Sequence, residues 1–132
     1  MEKRTLFCVV LAGFAVTSCA PMQRIDTTAP TSKECNGVRC EIDVSNDASV
    51  VDYALVNNMR KPIVMLWRLP QDSPCTLKIE IIGGGSEFDH CMPNGSRQFM
   101  CNNNHTQSGV YKYWVRLSGA CSVEKDPFIV ND

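Results

Sequence analysis

The chain is predicted to fold as an all-β, disulfide-stabilised β-sandwich. Three observations lead there. Apolar and polar residues alternate with a period of two in several runs, as half-buried strands require. Turn signals recur roughly every ten residues, and no segment carries the 3.6-residue period of a helix. Finally, six cysteines fall between Cys35 and Cys121; an even number in a small domain reads as a cross-linked framework.

The elements follow in order. Ala20 to Glu34 contains Pro21, Pro30 and little that could pack, so it is expected to be a disordered tether. Such a segment spans roughly 20 Å on average and about 50 Å at full stretch. From Cys35 onward the pattern is β. Cys40, Ile42 and Val44 alternate with Glu41 and Asp43. Val50 to Val56 is a second β-rich run, closed by the turn signal Asn57-Asn58. Ile63 to Leu69 is almost wholly apolar around Trp67, as a strand buried on both faces would be. Pro70 and Pro74 bracket a loop. Leu77, Ile79 and Ile81 then alternate with Lys78 and Glu80, until Gly83-Gly84-Gly85 breaks the run.

Residues 86–109 read as irregular, anchored by Phe88, Phe99 and Met100, with a polar loop from Asn102 to Ser108. In Val110 to Leu117, Tyr111, Tyr113, Val115 and Leu117 share one face and Lys112, Trp114 and Arg116 the other. Phe128 to Val130 is a last short strand. The sum is an immunoglobulin-like β-sandwich of six or seven strands over residues 35–132, with Trp67 and Trp114 at the centre of its core. The loops at 70–75 and 118–123 then fall at one end, which favours Cys75–Cys121. Cys91–Cys101 would staple the irregular segment, and Cys35–Cys40 would close a short loop at the domain's entry. Six cysteines allow fifteen connectivities, and sequence alone does not select one.

The first residues read as a leader. Lys3 and Arg4 precede an apolar run of eleven residues, Leu6 to Val16. A permanent span needs about 20, so the run has the length of a signal-peptide core. Val16-Thr17-Ser18-Cys19 follows. This string resembles the lipobox of bacterial lipoproteins: an aliphatic residue, two small residues and a cysteine. The resemblance implies a signal peptide over residues 1–18, with Cys19 as the lipidated first residue of the mature chain and residues 19–34 as its tether. Ala20, rather than Asp, after the cysteine implies the outer membrane, with the domain facing the periplasm. Two or more acyl chains anchor a protein stably, at about 0.8 kcal/mol per buried methylene.

Removing residues 1–18 leaves 114, takes Lys plus Arg from 13 to 11 and takes Asp plus Glu from 14 to 13. The mature net charge is therefore about −2 with both signs mixed, which speaks against nucleic acid as a partner.

The C-terminal third carries Gly109-Val110-Tyr111-Lys112-Tyr113-Trp114-Val115 and then Asp126-Pro127-Phe128-Ile129-Val130-Asn131. It is similar to the ending of a group of uncharacterised exported bacterial β-sandwich proteins. Cys35, Cys40 and the segment around Trp67 also resemble that group. The resemblance covers about a third of the mature chain and implies a fold but no activity. The cysteines at 75, 91, 101 and 121 lie outside it.

Several constellations invite a chemical reading. His90, Cys101 and His105, with Gln107 as a weak axial group, have the ligand types of a blue-copper site. Against this, the strand Val110 to Leu117 follows the ligands rather than preceding them, no methionine follows His105, and Cys101 has disulfide partners. Surface histidines beside disulfides are the expected outcome. Asp89-His90-Cys91 has the letters of a nucleophilic triad, but neighbours on an extended chain face opposite ways. Gly83-Gly84-Gly85-Ser86 lacks the lysine and helix of a phosphate loop and reads as a turn. Asn94-Gly95-Ser96 and Asn104-His105-Thr106 match a glycosylation sequon; behind a bacterial leader they read as turns. Trp114 could present an aromatic binding face, although alternating aromatics on a strand usually serve the core. The expectation is a non-enzymatic, cofactor-free, lipid-anchored binding or structural module for an envelope or secreted protein. The alternatives are a periplasmic inhibitor of an enzyme such as lysozyme, and a copper or redox carrier through His90, Cys101 and His105.

Overall fold

A computed structural model describes residues 6–10, 17–21 and 29–132. Near the start, β1 (Leu6–Val10) pairs antiparallel with β2 (Thr17–Pro21), which sets Cys8 opposite Cys19. The domain follows with ten strands: β3 (Ser32–Cys35), β4 (Arg39–Asp43), β5 (Tyr53–Val56), β6 (Ile63–Arg68), β7 (Cys75–Ile81), β8 (Phe88–Pro93), β9 (Gln98–Asn103), β10 (Gly109–Gly119), β11 (Val123–Lys125) and β12 (Phe128–Asn131). Helical structure among the described residues is limited to the 3-10 turn Gly85–Glu87.

Two sheets face each other. In the first, β10 is central. Its residues 113–119 pair with β7 on one edge; on the other edge its first half pairs with β12 and its second half with β11. Asp126-Pro127 interrupts what would otherwise be one strand from β11 to β12, because proline removes a ladder donor. β5 and β3 extend this sheet beyond β12 in parallel register. The second sheet runs β4-β6-β9-β8, with β4 parallel to β6 and the other ladders antiparallel. The β-sandwich is therefore as expected, but it has ten strands rather than six or seven, and three of its ladders are parallel. Pairing starts at Ser32, inside the stretch expected to be tether, because Asp52 accepts hydrogen bonds from Thr31 N (2.7 Å) and Thr31 Oγ1 (3.2 Å) and pins the chain onto β5. Residues 22–28 of that stretch lie outside the described residues.

Inward positions of both sheets build one core, from Ile42, Met65, Trp67 and Phe99 on one side to Ala54, Leu77, Ile79, Tyr113, Val115 and Ile129 on the other. Trp67 packs on Tyr113 with ring centroids 5.3 Å apart. Trp114 is not at the centre: alternation along β10 turns it outward, half-buried, between Lys112 (5.5 Å) and Arg116 (5.3 Å). Residues 86–109 are not irregular either. They form the β8–β9 hairpin, turned by Asn94-Gly95, in which Phe99, Cys101 and Asn103 face inward. A polar inward residue and a register shift between Asp89 and Met92 hide this hairpin from pattern reading.

Disulfides join Cys35 to Cys40, Cys75 to Cys121 and Cys91 to Cys101, with Cα separations of 5.2, 5.3 and 4.1 Å. These are the three pairs expected. The registers give the domain two ends. The chain enters at Thr31, beside Asp52 and Pro127. At the opposite end lie the loop closed by Cys35–Cys40, the turn after β5, the loop from Asn104 to Ser108, and Asp132.

Candidate functional site

The end opposite the chain entry carries the most distinctive chemistry of the fold. Its centre is Asn58, whose side chain is buried. Asn58 Nδ2 donates to Lys61 O at 2.8 Å and to Gly37 O at 3.2 Å, while Oδ1 accepts from Lys61 N at 3.3 Å. One amide side chain thus closes the turn after β5 and ties it to the neighbouring disulfide loop. Inside that turn Met59 and Arg60 have φ of 59° and 56°. Two consecutive positive φ angles are the signature of a type I′ turn, which normally takes Asn or Gly. Met59 is 79% exposed at its tip. Val38, 80% exposed, caps the adjacent loop between Cys35 and Cys40. Arg60 Nη2 donates to Ser108 Oγ at 2.8 Å, which adds a third loop.

Beneath these turns lies a network of buried polar groups. Six polar residues of the described chain are buried, and all but Ser73 are here: Asn58, Glu87, Asn103, His105 and Asn131. His105 is fully enclosed; its Nδ1 faces Asn58 Oδ1 at 2.5 Å, and its Nε2 faces Asp132 Oδ1 at 2.9 Å. Asn103 and Asn131 exchange amide hydrogen bonds of 2.8 and 3.0 Å, and Asn103 Oδ1 also accepts from His105 N. The Glu87 carboxylate accepts from Thr106 N at 2.6 Å and from Thr106 Oγ1 at 2.8 Å. Each buried polar group here has its partners, and a fully satisfied network makes the turns above it rigid.

The residues singled out from sequence fall elsewhere or into other roles. His105 is not a surface histidine; its partners Asn58 and Asp132 draw it inside. His90 is exposed in the register shift of β8, with Nδ1 2.8 Å from Asp89 Oδ1. That contact, then Asn104, holds the Asp89 carboxyl below the usual carboxylate range. Cys101 is bonded to Cys91. His90, Cys101 and His105 therefore do not converge, and no cluster of three metal-binding side chains occurs among the described residues. Asp89, His90 and Cys91 do not form a relay either: the Cys91 sulfur is engaged by Cys101. Gly83-Gly84-Gly85 has a packing role, since a Cβ on Gly84 would meet Phe88 Cδ2 at 2.9 Å. Trp114 is half-buried, with Lys112 and Arg116 over its ring. Its two covering cations are held by carboxylates: Lys112 by Asp126 (2.7 Å), and Arg116 by Glu80 (2.5 Å) and Glu124 (3.3 Å).

Two surface grooves lie at the chain-entry end. One of about 510 Å³ runs past Pro30, Tyr53, Asp126 and Phe128. The other, about 1090 Å³, passes Arg68, Asn94 and Arg97, but Arg68 is already paired with Asp43 (2.8 Å) and Glu41 (3.1 Å). Neither is lined by a histidine or cysteine. Val38, Met59 and Asn58 were not singled out from sequence as functional. The only local signal is Asn57-Asn58, which marks a turn without saying that its tip is apolar. No protein-family model matches the chain, and no curated protein matches it in sequence.

Proposed function

We propose that this protein is a lipid-anchored binding module of the bacterial envelope. Cys19 is the point of lipid attachment, and residues after it connect the anchor to a β-sandwich held on the periplasmic side of the outer membrane. The module acts by contact rather than by catalysis. The observation that carries this reading is the position of Val38 and Met59, the two most exposed large apolar side chains among the residues whose burial is described. They project from rigid, cross-braced turns at the end of the domain opposite to where the chain enters. An anchor at the entry end leaves that tip free to meet a partner. Exposed apolar groups held on rigid turns lose little entropy on binding, which is the economy a contact surface needs.

The Cys19→Ala change tests the anchor. Fractionated in high salt, the variant is expected in the soluble periplasmic fraction, folded and with its three domain disulfides intact. Continued membrane association with an unshifted mass would overturn the reading.

A further inference from the structure

The tip has a definite chemistry. Val38 and Met59 are flanked by Arg39, Arg60 and Lys61, which follow them directly in sequence. Arg60 bonds a serine hydroxyl, and no carboxylate of the described residues lies within 4.0 Å of Arg60 or Lys61. Of the acids nearby, Asp132 is engaged by His105, Glu87 by Thr106, and Asp89 by His90 and Asn104, while Glu34 beside Cys35 is exposed. The tip therefore pairs two projecting aliphatic side chains with two cations, Arg60 and Lys61, that have no carboxylate partner among the described residues, while Arg39 is paired with Glu41 at 3.7 Å.

We infer that this tip docks onto an anionic phospholipid surface, inserting Val38 and Met59 between headgroups while Arg60 and Lys61 meet the phosphates. The inference deepens the contact role proposed above and rests on it. Two features favour a bilayer over an acidic protein. The surface is made of two turn tips, while the two grooves lie at the other end. Aliphatic side chains beside unpaired Arg and Lys are also the pattern of interfacial membrane contact. The reach is adequate. The chain from Cys19 to Thr31 has a contour of roughly 40 Å, and the strands between the entry end and the tip advance only roughly 14 Å, judged from the four residues of β10 between Gly109, opposite Asn131, and Tyr113, bonded to Pro127. The tip can thus touch the same bilayer that holds the anchor, and tethering makes even a weak contact effective.

The test uses the Cys19→Ala chain, without its anchor, in sedimentation with vesicles. Vesicles of phosphatidylglycerol and phosphatidylcholine should bind it at least about tenfold better than phosphatidylcholine alone, with binding that falls as salt rises. The paired change Arg60→Glu and Lys61→Glu, and separately Met59→Asp, should each lower binding about tenfold. Val123→Asp, at an exposed apolar position on β11 away from the tip, should leave it unchanged. Disulfide content and the far-UV spectrum confirm that each variant is folded. Equal binding to both vesicle types, binding insensitive to the tip changes, or no binding would overturn the inference; the last would point to an acidic protein instead. None of these outcomes bears on whether Cys19 carries lipid, which the fractionation reads separately.

Discussion

Met59 and Arg60 hold a conformation that costs a residue with a Cβ about 1–2 kcal/mol, and Asn58 is what holds them there. The strain sits under the most projecting side chain of the turn, where retained strain points to use. Met59→Gly should therefore leave the domain between neutral and about 1 kcal/mol more stable in urea unfolding. Asn58→Ala should cost about 2–3 kcal/mol, since it strands the Gly37 and Lys61 carbonyls and a face of His105. A large loss from the glycine change, or none from the alanine change, would show that the turn is not braced as described. Tyr113 gives a second residue-scale prediction. Its hydroxyl and Trp67 Nε1 are buried without a hydrogen-bond partner, and burial pushes the phenol up to about 12. The folded state thus keeps a proton that the unfolded chain releases near pH 10. The stability linked to this group is full below about pH 10 and is lost as pH rises toward 12. Tyr113→Phe should be close to neutral at pH 7 and should flatten that alkaline decline; an unchanged decline would contradict it. At this scale the sequence is only partly legible. Asn57-Asn58 announces a turn, but the burial of His105 depends on Asn58, 47 residues away, and on Asp132, 27 residues away. No local pattern carries such a partnership.

Among the elements, β7 and β10 are legible because Leu77, Ile79, Tyr113, Val115 and Leu117 alternate cleanly and all face one core. β9 is not, because its inward residue Asn103 is polar and is satisfied by Asn131 on the other sheet. The same non-local bond explains why a polar segment read as a loop is in part a strand. Loop placement pointed to Cys75–Cys121, while the other two pairs were expectations that sequence alone could not select, and the spacing of all three ranks their worth. On the chain-entropy account, Cys75–Cys121, 46 residues apart, stabilises by about 4 kcal/mol, and Cys35–Cys40, 5 apart, by about 2. Replacing each pair by alanines and measuring urea midpoints should reproduce that order. The reverse order would mean that Cys35–Cys40 does more than close a loop, for instance by holding the Val38 turn against Asn58. Trp114 shows the limit of composition as a guide: a tryptophan in the strongest strand is outside the core because β10 alternation assigns it to the outer face.

At the scale of the whole molecule, the fold separates an entry end from a projecting tip and blunts two of its sheet edges. β8 carries a register shift, a charged Asp89 and Pro93, and β11 is three exposed residues long. Edges blunted in this way resist strand-to-strand association. The proposed address rests on residues 1–19, a contiguous string open to sequence reasoning. The tip was not, because it is assembled from loops around residues 38, 59 and 108 that meet only in three dimensions. The proposed role requires the chain to be held to a membrane through Cys19. The most direct measurement is the intact mass of the protein extracted from bacterial membranes. The expected species begins at Cys19, carries the added mass of acyl chains at that residue, and lacks six protons for three disulfides. A chain that retains residues 1–18, or that begins after them without added lipid mass, would contradict the account.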